Sequence, residues 1–163
     1  MILSSRHRIR LAGAAVAFAT LALAHGPSLA GTSVNTGYFG GVAIMGYDPV
    51  AYFTEGRPVK GTPGIAYDWL GATWNFAKPE HKELFVSDPV RYAPQYGGYC
   101  ASGMANSEST ANIDPEAWRI VNGKLYLHYD KADASVWNPD DEKLGVPKAD
   151  ANWPAVQARL QQE

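Results

Sequence analysis

The chain of 163 residues contains one cysteine, Cys100, so no intramolecular disulfide can staple it and its stability has to come from packing. Basic residues are in deficit as well, 14 Lys and Arg against 16 Asp and Glu. That balance offers no basic face for phosphates and excludes nucleic acid as an expected partner. Long apolar runs are also missing. The one uncharged stretch at the start, Leu11 to Ala24, falls short of the ~20 residues a transmembrane helix requires. Enzyme signatures are absent too: there is no Gly-x-Ser-x-Gly elbow, no phosphate-binding glycine loop followed by Lys-Ser/Thr, and no His-Glu-x-x-His. No sequence motif therefore marks the chain as an enzyme.

What is present begins with Arg6, His7, Arg8 and Arg10 ahead of that apolar stretch and Ser28-Leu29-Ala30 behind it. A basic head, a short apolar run and a small-x-small site are the layout of a secretory signal. Residues 1–30 are expected to be removed, with cleavage after Ala24 or an uncleaved anchor as alternatives. The arginines are not adjacent, which favours the general secretion route. The mature protein is expected in the periplasm or secreted, with no stable membrane insertion. Cleavage takes three arginines and no acid from the totals of 14 and 16, leaving a formal charge of about −5. About 130 residues remain, enough for one domain with a modest core.

Residues 31–45 read as an extended arm and 46–163 as the domain. Asp48-Pro49 favours a turn, and residues 54–64 are loop. Ile65, Tyr67 and Trp69 alternate up to Gly71, and Thr73 to Phe76 resume, which predicts two aromatic strands around a glycine turn. Pro79 with Glu80 behind it predicts a short helix ending at Asp88-Pro89. Asn122-Gly123 between Trp118–Val121 and Lys124–Leu127 is a strong hairpin signal, because both turn positions need positive φ. Helical segments are expected from Lys131 to Val136 and from Trp153 to Leu160. No internal repeat is visible. The expected fold is a small single α+β domain of antiparallel hairpins, with a short helix packed across them and helical C-terminal segments.

Several multi-residue blocks then stand in a distinctive order: Gly46-Tyr47-Asp48-Pro49-Val50-Ala51-Tyr52-Phe53, Trp74-Asn75-Phe76, Phe85 with Asp88-Pro89 and Tyr92, and Pro94-Gln95-Tyr96-Gly97-Gly98-Tyr99-Cys100-Ala101. Ile113 to Trp118, Gly123 to Leu127 and Lys148 to Pro154 continue it. The chain resembles the exported branch of the YHS domain family over nearly all of residues 46–155. The resemblance implies a binding protein, since YHS domains occur beside metal-transporting and oxygenase modules and use cysteines as metal ligands. This chain departs from that pattern: Val50-Ala51 stands where metal-handling relatives carry a cysteine, and no Tyr-His-Ser triplet occurs. Of the thiol set only Cys100 is left.

Cys100 is the first candidate site residue. A metal reading groups it with Met104 and with His81 or His128, a thiolate, thioether and imidazole set that suits copper better than calcium or magnesium; copper or zinc is the expected ion. The bland alternative for Cys100 is a buried thiol behind Gly97-Gly98. Met104 would share a helical face with Cys100 only if that stretch is helical, and Gly103 argues against a firm helix. His81 reads as an exposed helical residue, His128 as a solvated strand-end residue, and Asp48 as the cap of its own turn. The expected function is an exported YHS-like binding protein that handles a transition metal through Cys100. Two alternatives are a metal-free accessory domain docking a protein partner through its aromatic surface and a thiol-dependent redox protein. Core packing is the other use of the aromatic residues.

Overall fold

The structure is a computed structural model and describes residues 32–37 and 40–162. The proposed signal, with His25, lies outside the described residues. No helix among them is long and apolar enough to cross a membrane.

The fold is α+β, with two antiparallel hairpins and six α-helices among the described residues. In chain order these are α1 (Ala51–Thr54), β1 (Thr62–Trp69), β2 (Ala72–Phe76), α2 (Pro79–Ser87), α3 (Pro89–Tyr92), α4 (Ala101–Ser107), β3 (Asp114–Val121), β4 (Lys124–His128), α5 (Lys131–Val136) and α6 (Val146–Leu160). Hairpin β1–β2 turns at Leu70-Gly71 and β3–β4 at Asn122-Gly123, all four residues at positive φ. That is the backbone a two-residue turn needs to follow the strand twist.

The two hairpins are one motif used twice. In the first, Thr62 pairs with Phe76 and Ala66 with Asn75, with a bulge between; in the second, Asp114 pairs with His128 and Trp118 with Leu127, with a bulge at the same place. Every paired residue has its counterpart 52 positions on (62 to 114, 76 to 128). The correspondence runs beyond the hairpins. Ile44, Met45 and Gly46 form a left-handed turn, as do Tyr96, Gly97 and Gly98. The Asp48 amide then donates to Val59 at 2.9 Å, and the Cys100 amide to Ala111 at 3.2 Å. Ring packing repeats too: Trp74 and Phe85 lie 5.1 Å apart, and Tyr126 and Trp137 lie 5.2 Å apart. The sequence shows no repeat because residues 42–87 and 94–139 share only Gly46/Gly98, Tyr47/Tyr99, Pro63/Pro115 and Gly71/Gly123. Those are turn and bulge residues, where backbone geometry limits the choice.

Asn35 ties the two turns together. Its amide donates to Gly97, its side chain donates to Gly98, and its carbonyl accepts from Ile44. Thus the segment 31–45, expected as an extended arm, contributes buried Ser33, Val34, Asn35, Ala43 and Ile44 instead.

Two clusters form the core. One gathers Trp74, Phe76, Phe85, Ile44, Val50 and Tyr52 with Leu125 and Leu127; the other gathers Tyr126 and Trp137 with Tyr96, Met104, Ala149 and Val156. Strand β4 lies between them. Its alternation is real, but both faces are covered, so Leu125 to His128 are all buried. Helix α6 supplies the second cover. Ala101 and Ala105 of α4 and Ala149 of α6 are small enough for close packing, and Asn152 caps α4 by donating to Met104 at 2.9 Å and Ala105 at 3.2 Å.

Candidate metal centre

Three short segments deliver three donor atoms to one place. The left-handed turn at Tyr96–Gly98 redirects the chain so that Cys100 becomes the N-cap of α4, where Sγ accepts from the Gly103 amide at 3.4 Å. Strand β4 ends at His128. Two residues later Asp130 caps α5 by accepting from the Asp133 amide at 2.7 Å, which fixes the first turn and places Asp133 over the strand end.

Asp133 Oδ2 accepts from Ser102 Oγ at 2.7 Å, lies 3.3 Å from His128 Nδ1 and 3.4 Å from Cys100 Sγ. Ser102 Oγ is also 3.1 Å from His128 Nδ1. One donor atom from each of Cys100, His128 and Asp133 lies within 4.8 Å of the others. A metal ion with Zn–S near 2.3 Å and Zn–N or Zn–O near 2.0 Å separates its ligands by about 3–4 Å, so the group needs only a small contraction to hold one.

Burial shapes the electrostatics. It raises the Cys100 thiol above its ordinary value, the Gly103 N–H works against the rise, and Asp133 adds to it. The free thiol is therefore kept protonated at neutral pH, and a cation between the sulfur and the carboxylate reverses that logic. Burial lowers the His128 imidazole, with Asp133 opposing and Arg119 reinforcing. A neutral imidazole is the form that binds metal. His128 is fully buried, and its Nε2 has no hydrogen-bond partner among the described residues.

The first half of the chain supplies an internal comparison. The counterparts of Cys100, His128 and Asp133 are Asp48, Phe76 and His81. His81 Nδ1 stands 2.6 Å from Asp48 Oδ2, and the pair is almost wholly buried. Asp48 also accepts from the amides of Val50, Ala51 and Ala77 at 2.9, 3.3 and 2.8 Å, while His81 Nε2 meets Thr54 Oγ1 at 2.9 Å. Every polar atom of that pair is used inside the protein. Phe76 shows that the framework packs a plain aromatic ring where His128 stands, so a buried imidazole with an unpaired nitrogen is not demanded by packing.

Of the four sequence candidates, Cys100 and His128 come together. His81 belongs to the Asp48 cluster, and Met104 is buried in the second core cluster away from the cavity described below. His81 and His128 are buried rather than exposed, the first because Asp48 reaches α2 and the second because Trp137 covers the strand end, with ring centroids 4.8 Å apart. Gly103 lies inside a helix after all, stabilised by the Cys100 cap. Asp48 does cap its turn and has a larger role besides. Asp133 and Ser102 are the residues that sequence reasoning missed. The signal was available, since Asp133 follows Cys100 by the spacing at which His81 follows Asp48.

A cavity of about 470 Å³ is lined by two of the three donor residues, Cys100 and Asp133, and by Ser102. The aromatic residues are mostly spent on the core, as in the Trp74–Phe85 and Tyr96–Tyr126 pairs. In comparisons with known proteins, no family model, no curated protein and no solved structure matches this chain.

Proposed function

We propose that this protein is an exported, YHS-like binding protein that holds one borderline divalent transition-metal ion, zinc foremost, through Cys100 Sγ, His128 Nδ1 and Asp133 Oδ2. The observation that carries the reading is the convergence of thiol, imidazole and carboxylate within 4.8 Å. The comparison with Asp48, Phe76 and His81 supports it: the same framework holds a fully buried carboxylate–imidazole pair and a phenyl ring in the first half, and in the second half a thiol, an imidazole and a carboxylate that is 28 % exposed at the edge of a cavity. A hard carboxylate in the set favours Zn(II) over Cu(I), which prefers thiolate and thioether, and Met104 is turned away. Three protein ligands beside a cavity match sites that keep one position open rather than closed structural sites. Ser102 orients Asp133 as an outer partner. The raised thiol argues against thiolate redox chemistry at Cys100, because the thiolate is the reactive form.

The test is competitive titration of the purified protein with Zn(II), Co(II) and Cu(I) against chromophoric chelators. One equivalent of Zn(II) should bind, and Cys100→Ala and Asp133→Asn should each lose at least tenfold in affinity. Absence of binding at micromolar Zn(II), or equal affinity in folded Cys100→Ala, overturns the reading.

A further inference from the structure

The cavity beside the three donors has a chemistry of its own. Apart from Asn106 and Asn138, its walls are formed by Ala111, Tyr129, Val136, Trp137 and Leu144. Tyr129, Val136 and Leu144 are among the few large apolar side chains the described residues leave in water, at 63, 79 and 51 % exposure. They belong to three different segments and meet at one mouth. Scattered exposed hydrophobics are ordinary, but a cluster around a concavity marks a binding site. At about 470 Å³ the cavity falls within the range of small-molecule pockets.

The charge of the lining is one-sided. Asp133 and Asp141 border the cavity, and among the described residues no lysine or arginine does. Asp141 accepts from the amides of Lys143 and Leu144 at 2.8 and 2.9 Å, which keeps it ionised and in place. Such a lining disfavours anions and accepts neutral or cationic groups.

We infer that the site takes a small neutral organic ligand, with an uncharged nitrogen or thioether donor at one end and an apolar body at the other. This rests on the metal reading above. The donor completes the coordination left open by Cys100, His128 and Asp133, and the apolar body lies against Val136, Trp137 and Leu144. The metal provides the attachment, the walls provide selectivity for the body, and Asp141 disfavours anionic competitors.

The experiment uses the Co(II)-loaded mature protein, with visible d–d bands and tryptophan fluorescence as readouts, and three probes: imidazole, 4-phenylimidazole and azide. 4-Phenylimidazole should bind at least tenfold more tightly than imidazole, and azide more weakly than either. Val136→Ser with Leu144→Ser, at exposed positions, should leave Co(II) affinity unchanged and bring the two imidazoles within about twofold of each other. If Co(II) binds but 4-phenylimidazole shows no preference, or the double variant keeps the preference, the ligand inference fails while the metal reading stands. If azide binds more tightly than 4-phenylimidazole, the class of ligand is wrong. If Co(II) does not bind, both fall.

Discussion

His81 and Asp133 occupy the same position in two copies of one framework. Each is the third residue of the helix after a hairpin, and each meets the side chain behind a left-handed turn, Asp48 at 2.6 Å for His81 and Cys100 at 3.4 Å for Asp133. The energetic consequences differ. Asp48 and His81 are almost wholly buried, whereas the Asp133 side chain is 28 % exposed. Removing one partner of a buried pair strands the other, at a cost of about 3–5 kcal/mol, while losing the Ser102–Asp133 hydrogen bond near solvent costs about 1 kcal/mol. Urea denaturation should therefore rank Asp48→Ala and His81→Ala far below Asp133→Ala. Equal losses would show that the first cluster is not the lock of its half.

His128→Phe copies Phe76 into the second half. Because burial lowers His128 below its ordinary value near 6.5, the unfolded chain binds a proton there that the folded chain refuses. Stability from this residue is whole above pH 6.5 and is lost as pH falls through the folded value. In denaturation curves at pH 7.5 and 5.5 the wild-type protein should lose more stability on acidification than His128→Phe. The variant should also lose Zn(II) affinity, because the imidazole donor is gone. A pH dependence unchanged by the substitution would assign the acid loss elsewhere.

The left-handed turns make a sharper claim about glycine. A Cβ on Gly97, at φ +62°, would lie 1.9 Å from the Ser33 carbonyl oxygen, while one on Gly123, at φ +73°, meets nothing within 4 Å. Gly123→Ala should cost about 1–2 kcal/mol, the backbone penalty alone. Gly97→Ala should cost more than about 4 kcal/mol, because backbone must move away from backbone. Comparable midpoints for the two variants in thermal melts would mean that residues 32–37 are not held against the second turn.

The contrast between Gly97 and Gly123 also shows what the sequence could convey. Asn122-Gly123 announces its turn locally, as Pro79 announces its helix, so both hairpins and the α+β class were legible. Gly97 matters because of Ser33, far away in the chain, and no local pattern reports that. Strand β4 failed in the same way: alternation sorted Leu125 and Leu127 from Tyr126 and His128 correctly, but only α4, α6 and Trp137 decide that both faces are dry. The site was half legible. Cys100 stood out by being alone, whereas nothing local marked Asp133 until the spacing of the two halves gave it a position.

That spacing can be tested as a physical equivalence. If Cys100 and Asp133 stand where Asp48 and His81 stand, then Cys100→Asp and Asp133→His should be poor substitutions singly and compatible together. Cys100→Asp alone buries a second carboxylate beside Asp133, and Asp133→His alone removes the acceptor that Ser102 uses. The double variant rebuilds the carboxylate–imidazole pair of the first half on the same backbone, with the Gly103 amide as counterpart of the Ala51 amide that donates to Asp48. A double-mutant cycle in urea at pH 7 should return a favourable coupling of about 1–3 kcal/mol, and the double variant should bind Zn(II) at least tenfold more weakly than wild type. Additive losses would show that the backbones match while the side chains point differently, and the second half would then owe its donor cluster to more than the shared framework.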